Sequence, residues 1–259
     1  TTTTTYCEPA DASAGTCPLV GLPISTKGPR TDISDTTTYV YHQTDHGDCK
    51  VAPTACAYRK GDLWKIIDPL GRTTAFPTYD GAGRRLSSVD PNGVETNYEY
   101  HPRGWMTAEK VRGPDDSTES DDRITRTDYR PTGLVEQITQ PDGDSLAFSY
   151  DAAHRLVRLT DNSGGYIAYT LDAAGNRIAE GTRDPAQRVQ RSLSRIYDLN
   201  GRLATVADAS SNPTDFKYDD NGNITAVTDA LGRTERREYD AQNRLRQTTQ
   251  DAGGIAAAT

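Results

Sequence analysis

The stretch 218-YDDNGNITAVTDALGRTERREYD-240 decides the fold, because it opens and closes on the same Tyr-Asp pair. Two glycines, Gly222 and Gly232, divide it. The pair also occurs, with Leu171-Asp172 as a variant, at Tyr79-Asp80, Tyr150-Asp151 and Tyr197-Asp198. A segment that returns at a fixed distance is the signature of a repeat architecture, so the sequence predicts an array of repeated structural units.

Eight landmark residues define the repeat: Tyr79, Tyr100, Tyr129, Tyr150, Leu171, Tyr197, Tyr218 and Tyr239. Five of the seven intervals between them are 21 residues long, and the other two are 29 and 26. Four residues after a landmark stands a glycine in six units, at Gly83, Gly104, Gly133, Gly175, Gly201 and Gly222. His154 and Asn243 occupy this position in the other two units. Glycine, Asn and His all tolerate positive φ, so this position predicts a turn and His154 is interpreted as a glycine substitute rather than a catalyst.

A second glycine follows fourteen residues after several landmarks, at Gly93, Gly143, Gly164, Gly232 and Gly253. Two turns in 21 residues leave two strands of ordinary length, so each unit is predicted to be one β-hairpin. The predicted fold is all-β, made of consecutive antiparallel hairpins of about 21 residues. Apolar residues three apart on the outgoing strand, such as Leu156 and Leu159, indicate either a β-bulge or a strand covered on both faces.

The two long intervals contain extra residues near the second turn, at 113–122 and 181–191. They are interpreted as extensions of the hairpin tips that form solvated loops.

The composition excludes several classes of function. The net charge is −8 and no Lys or Arg run is present, so nucleic acid is not predicted as a partner. No apolar segment approaches the roughly 18 residues of a membrane span, and residues 1–10 lack the features of a signal peptide. The sequence is interpreted as part of a longer protein.

All four cysteines, Cys7, Cys17, Cys49 and Cys56, lie in the first quarter of the chain. Two close pairs favour the local disulfides Cys7–Cys17 and Cys49–Cys56 and a secreted or cell-surface location. Each pair would close an enlarged turn and contribute roughly 2–3 kcal/mol. We expect residues 1–57 to be degenerate, disulfide-stapled repeats, and residues 58–259 to form the hairpin array. A zinc site of His42, His46, Cys49 and Cys56 is the disfavoured alternative, since no Cys-x-x-Cys knuckle is present.

No catalytic set stands apart from the repeat. The aspartates Asp90, Asp161, Asp208 and Asp229 recur at one offset, and a residue that recurs in many hairpins is a turn feature rather than a catalyst. No enzyme activity, cofactor or metal is therefore predicted.

The pattern Tyr-Asp-x-x-Gly-Arg-Leu, then Asp-x-x-Gly, then Tyr-x-Tyr-Asp resembles the YD repeat of Rhs (rearrangement hot spot) proteins. The same repeat occurs in the shell subunits of bacterial ABC-type toxin complexes and in teneurins. Residues 197–208, YDLNGRLATVAD, are a close match, and the resemblance covers about residues 58–259. It implies a curved, spiralling sheet that belongs to a hollow shell, with the bacterial Rhs branch nearest.

Two hypotheses follow from the repeat and the resemblance. In the first, the chain is a wall segment of a secreted shell, and its partners are further repeats and a C-terminal effector segment of its own chain. In the second, it is an extracellular binding module that holds a glycan or a cell-surface protein through tyrosine rows and edge loops. The residues themselves do not separate the two.

Overall fold

The computed structural model describes residues 1–52, 56–115 and 118–251 of the chain. The described residues form twenty strands, one α-helix (α1, Pro9–Ser13) and one 3-10 turn (Gly47–Lys50). The strands are β1 Thr3–Tyr6, β2 Pro23–Lys27, β3 Thr36–Tyr41, β4 Leu63–Ile67, β5 Thr73–Ala75, β6 Ser87–Val89, β7 Glu95–Tyr100, β8 Met106–Val111, β9 Arg123–Tyr129, β10 Val135–Thr139, β11 Ser145–Tyr150, β12 Leu156–Asp161, β13 Tyr166–Leu171, β14 Arg177–Arg183, β15 Val189–Tyr197, β16 Leu203–Ala207, β17 Pro213–Tyr218, β18 Ile224–Thr228, β19 Thr234–Tyr239 and β20 Leu245–Asp251. The prediction of an all-β, nearly helix-free chain is confirmed. Neither helical segment of the described chain has the length and apolar character that a membrane-crossing helix needs.

The chain divides into two compact units. The first consists of Thr1–Tyr129 and Ile138–Gly143, and the second of Arg130–Gln137 and the chain from Asp144 onward. In the first unit, each strand from β1 to β9 pairs antiparallel with the next strand in sequence. In the second unit, the strands from β11 to β20 pair in the same way. The predicted order of consecutive antiparallel hairpins is therefore confirmed.

A β-bulge at most of the landmarks explains the three-residue spacing of the outgoing strand. Tyr150 pairs with Leu156, whereas Ser149 pairs with Arg158, so Val157 between them has no partner. Because cross-strand partners share a face of the sheet, this shift brings Leu156 and Leu159 to the same face. The same register shift recurs at Tyr41, Tyr100, Leu171, Tyr197, Tyr218 and Tyr239. Of the two alternatives that the sequence left open, the bulge is correct.

Both turns of a hairpin have the same five-residue geometry. We call the turn that follows a landmark the base turn and the other one the tip turn. In the base turn that begins at Asp219, its N–H donates to the Asn223 carbonyl (3.0 Å) and the Gly222 N–H donates to the Asp219 carbonyl (3.1 Å). The tip turn that begins at Asp229 makes the same two bonds, with Arg233 and Gly232. The 21-residue repeat thus contains two copies of one turn.

The fourth turn residue has positive φ, as predicted. The exceptions to glycine fit this rule, because His154 has φ 63° and Asn243 has φ 60°. Two tip turns use other residues in the same way, Gln187 at 65° and Ser211 at 63°. Gly253 lies outside the described residues.

We expect Gly222→Ala to lower the free energy of unfolding by about 1–2 kcal/mol, because an L-residue is strained at the φ of 88° found there. No atom would lie within 4 Å of the new Cβ, so the cost is conformational rather than steric. Gly81→Ala is the matched control, since Gly81 also faces open space but lacks positive φ. Urea denaturation compares them, and an equal loss in both variants would contradict the assignment.

The two predicted tip extensions are not plain loops. Residues 181–191 lengthen β14 and β15, which pair up to Arg183 and Val189, and an ordinary tip turn joins them. The prediction of a solvated loop there is wrong, because the added residues continue the strand ladder. Residues 113–122, of which 116 and 117 lie outside the described residues, are anchored by ion pairs from Lys110 to Glu119 and from Arg112 to Asp122.

Candidate functional site

The landmark tyrosines hold the bases of the hairpins together. Strands β16 and β17 pair only near the tip, with Ala207 opposite Pro213 and Thr205 opposite Asp215. Beyond these rungs, the Tyr218 hydroxyl donates to the Leu203 carbonyl at 2.9 Å and so closes the base. The equivalent bonds run from Tyr41 to Pro23, Tyr79 to Leu63, Tyr129 to Met106, Tyr150 to Val135, Tyr197 to Arg177 and Tyr239 to Ile224. The hydroxyls of these tyrosines therefore donate hydrogen bonds within the fold.

An aspartate at the first turn position clasps most of the described turns. The Asp198 carboxylate accepts the N–H groups of Asn200 and Arg202 on Oδ1, both at 2.9 Å, and the Arg202 Nε–H on Oδ2 at 2.7 Å. The N–H four residues on also donates to the carboxylate at Asp68, Asp80, Asp90, Asp151, Asp161, Asp172, Asp184, Asp208, Asp219, Asp229 and Asp240. These carboxylates stabilise the turns by accepting backbone hydrogen bonds, in agreement with the interpretation of the recurring aspartates as turn features.

The hydrogen bonds of the turn shift the acidity of these groups. The backbone N–H of Arg202 and then its guanidinium hold the pKa of Asp198 below its usual range. The backbone N–H groups of Arg155 and Arg244 lower the pKa of Asp151 and Asp240 in the same way. A carboxylate that is hydrogen-bonded as an anion resists protonation.

The lowered aspartate pKa values predict acid lability. Since the folded pKa lies below the unfolded value of about 3.9, the stabilisation is complete above that value and is lost as the pH falls through the folded pKa. We expect the difference in urea midpoint between the wild type and Asp198→Asn to shrink as the pH falls from about 5 to about 2. Asp220→Asn is the matched control, because Asp220 is exposed at the second position of a base turn. A difference that stays constant with pH would contradict the role of the carboxylate charge.

Arginines at the fifth turn position connect successive base turns. Arg202 Nη1 donates to the Asp219 carbonyl at 3.0 Å, and the guanidinium lies 4.6 Å from the centre of the Tyr218 ring. Arg155 and Arg84 make the corresponding bonds to Asp172 and His101. We call this chain of arginine, aspartate and tyrosine contacts the base ladder. In these three cases the fifth residue of one base turn is hydrogen-bonded to the first residue of the next base turn.

The N-terminal cysteine loops are inserted into the same base turn. The Cys7 N–H donates to the Leu22 carbonyl (2.8 Å), and the Gly21 N–H donates to the Cys7 carbonyl (2.9 Å). The aspartate and the glycine of an ordinary base turn make the same two bonds. In the next repeat, the His42 N–H and the Gly61 N–H make the equivalent bonds on either side of residues 43–60. The insertions therefore leave the frame of the turn unchanged.

Each insertion contains a disulfide, Cys7–Cys17 with a Cα–Cα distance of 6.1 Å and Cys49–Cys56 with 4.4 Å. Cys49 and Cys56 are bonded to each other, so neither offers the thiolate that a zinc site would need. Across residues 1–52, 56–115 and 118–251, no cluster of three His, Cys, Asp or Glu side chains is suited to a metal ion. Oxidised pairs of this kind are typical of proteins outside the cytosol.

The second insertion forms an aromatic groove that sequence reasoning missed. The ring of Tyr58 stacks on His42, with centroids 3.6 Å apart and planes 8° apart, and Trp64 lies 5.8 Å from the same imidazole. Burial lowers the pKa of His42, so the imidazole is neutral at pH 7. Together with Gln43 and other neighbours, these residues line an open groove of about 370 Å³. The sequence feature that could have predicted this groove is the presence of Tyr58 within the insertion and Trp64 just after it.

Comparison with known proteins places the chain among much longer relatives. Double-stranded DNA deaminase toxin A of Burkholderia cenocepacia (strain H111) is 30% identical over 155 residues, which are 54% of this chain and 10% of the toxin. Cadherin-17 of Rattus norvegicus is 26% identical over 167 residues, 57% of this chain and 20% of that protein. The crystal structure of TcdB2-TccC3 aligns with a TM-score of 0.46 at 15% identity, over 90% of this chain and 15% of that one. This chain thus spans a tenth to a fifth of the length of these relatives.

The model of the RHS repeat family matches most of the sequence. Its six matches cover residues 59–95, 79–118, 129–166, 150–189, 197–234 and 218–256. They contain the landmark tyrosines and the base and tip turns from Asp68 to Arg244. The chain belongs to the RHS repeat family.

Proposed function

We propose that this chain is a structural wall segment of a secreted shell that encloses a C-terminal toxin or effector segment outside these 259 residues. The base ladder carries the proposal, because the recurring Arg84, Arg155 and Arg202 side chains each join one base turn to the next. A catalytic residue would instead be an exception to the repeat. The fold therefore has the chemistry of a scaffold.

The pairing of strands with their neighbours in sequence supports further repeats as partners. β1 pairs with β2 and β19 pairs with β20, as the other described strands of each compact unit do with the next one. Repeat arrays are stabilised by contacts between neighbouring units. On this proposal, further repeats of the same protein are the partners of this segment.

The toxin relative supports the proposal that the enclosed segment is a toxin or effector. A protein named as a DNA deaminase toxin shares this repeat region at 30% identity, and its matched part is a tenth of its length. A repeat wall attached to a toxic segment would explain this combination. The two disulfides agree with a secreted or cell-surface shell.

Limited proteolysis of the full-length gene product tests the proposal. If the repeats enclose the C-terminal segment, that segment should resist a broad-specificity protease for as long as the repeat region stays intact. Mass spectrometry of the fragments over time identifies which part is cut first. Single-particle electron microscopy of the same sample should show a closed, hollow particle.

Early cleavage of the C-terminal segment while the repeats are still intact would refute encapsulation. An open particle without an enclosed volume would refute it as well. The cysteine and turn residues are unaffected by either result, because their roles lie within the hairpins themselves.

A further inference from the structure

The described residues of the insertion at 43–60 make several contacts that the proposed wall function does not require. It is fastened by the Cys49–Cys56 disulfide, by the His46 N–H to the Tyr58 carbonyl (3.1 Å) and by the Lys60 N–H to Asp45 Oδ1 (2.8 Å). An ordinary base turn holds its hairpin with three residues between the landmark and the glycine, as between Tyr218 and Gly222. These added contacts hold Tyr58 in place. The need to close a hairpin does not explain this position of Tyr58.

The groove offers aromatic surface that is not used by the base ladder. Tyr58 lies parallel to His42, and Trp64 is 39% exposed at the start of β4. The groove volume of about 370 Å³ lies within the range of small-ligand sites. The rings of Tyr58 and Trp64 are not fully buried and leave apolar surface facing solvent.

Unsatisfied polar groups lie beside this aromatic surface. Within the described part of the chain, neither the Gln43 amide nor the Tyr58 hydroxyl has a hydrogen-bond partner, and Gln43 is exposed. Lys65 places its ammonium group 3.8 Å from the centre of the ring of the groove residue Trp64. The groove therefore combines apolar walls with a small number of free donors and acceptors, as binding sites do.

We propose that this groove binds a pyranose ring of an extracellular glycan. A pyranose has one face of C–H groups, which pack on aromatic rings, and a rim of hydroxyls, which exchange hydrogen bonds with amide, phenol and ammonium groups. A peptide side chain would match the apolar walls but would leave most of the rim groups without partners. The proposal does not depend on what the shell encloses, because the groove lies within the first unit.

The chain permits a direct measurement, since it has two tryptophans, Trp64 and Trp105. Trp105→Phe keeps an aromatic ring next to His101 and leaves Trp64 as the single fluorescent tryptophan. We expect its emission to change saturably on titration with at least one of glucose, galactose, mannose, N-acetylglucosamine and glucuronic acid, with a roughly millimolar Kd. Tyr58→Ala and Gln43→Ala in the same background should weaken binding at least about tenfold.

Tyr166→Ala is the matched control, because it removes a tyrosine from a strand of the second unit, and it should leave the affinity unchanged. Circular dichroism shows whether each variant is folded, and Gln43→Ala keeps the test valid if Tyr58→Ala is not, since Gln43 is an exposed residue. A folded protein without a saturable response to any of the five sugars would refute the proposal. An undiminished response in Gln43→Ala, or a response to a tryptophan-containing peptide and to none of the sugars, would also refute it.

Discussion

We expect Tyr79→Ala to lower the free energy of unfolding by about 3–5 kcal/mol, the cost of emptying a buried aromatic site. Tyr79 is 6% exposed, and its hydroxyl donates to the Leu63 carbonyl at 2.5 Å. Tyr79→Phe keeps the ring and should cost only about 1 kcal/mol for the lost hydrogen bond. Urea denaturation followed by Trp64 fluorescence in the Trp105→Phe background is a suitable measurement, because Trp64 follows Leu63 in β4.

Tyr6→Ala is the matched control, since Tyr6 is 54% exposed, and it should change the stability by less than about 0.5 kcal/mol. Equal losses for Tyr6→Ala and Tyr79→Ala would contradict the role of the landmark side chain. Burial raises the pKa of Tyr79 to about 12, so its contribution is complete below the unfolded value of about 10 and is lost as the pH rises through 12. Tyr79→Phe should remove this part of the alkaline destabilisation.

Removal of the Cys7–Cys17 disulfide by the double substitution Cys7→Ala and Cys17→Ala should cost about 2–3 kcal/mol. The bond closes a short loop, and its loss gives the unfolded chain more conformational freedom. Both cysteines are 2% exposed, so the substitutions also remove buried sulfur contacts. Thermal and urea unfolding of the variant and the wild type measure the difference.

Non-reducing peptide mapping provides the control for this prediction. It should recover Cys7 joined to Cys17 and Cys49 joined to Cys56, and the double variant should retain the second pair. The wild type in reducing buffer should be at least as unstable as the variant, since both bonds are then open. Cross-paired cysteines, or a variant as stable as the wild type, would contradict the assignment.

The local structure was readable from the sequence because each turn is closed by its own residues. The glycine offset predicted positive φ, and the substitutes His154 and Asn243 have it. The hairpin order followed from the same spacing, because two turns in 21 residues leave room only for short antiparallel strands. The bulge was one of two open alternatives, since apolar spacing alone does not show which residue lacks a cross-strand partner.

The length of one hairpin did not follow from the repeat spacing. The spacing predicts a loop at 181–191, but cross-strand pairs between β14 and β15 make these residues part of a longer hairpin. The division of the chain into degenerate repeats at 1–57 and a hairpin array at 58–259 remains a prediction. The base turns of the first 57 residues nevertheless have the same two-bond frame at Cys7 and His42.

The sequence by itself determined the repeat, the positions of the turns, the strand order and the cysteine pairs, because these depend on contacts within one hairpin or one loop. Only the tertiary structure decided what the recurring side chains do. The bond from Arg202 to the Asp219 carbonyl and the bond from Tyr218 to Leu203 join residues that are 17 and 15 positions apart. It also decided that Tyr58, His42 and Trp64 form one groove, since a disulfide-closed insertion must fold back on the hairpin before these rings can meet. The spacing of Gly, Asp and Tyr along the sequence determines the local turn geometry. Contacts between neighbouring repeats depend on how the strands pair and where they bulge.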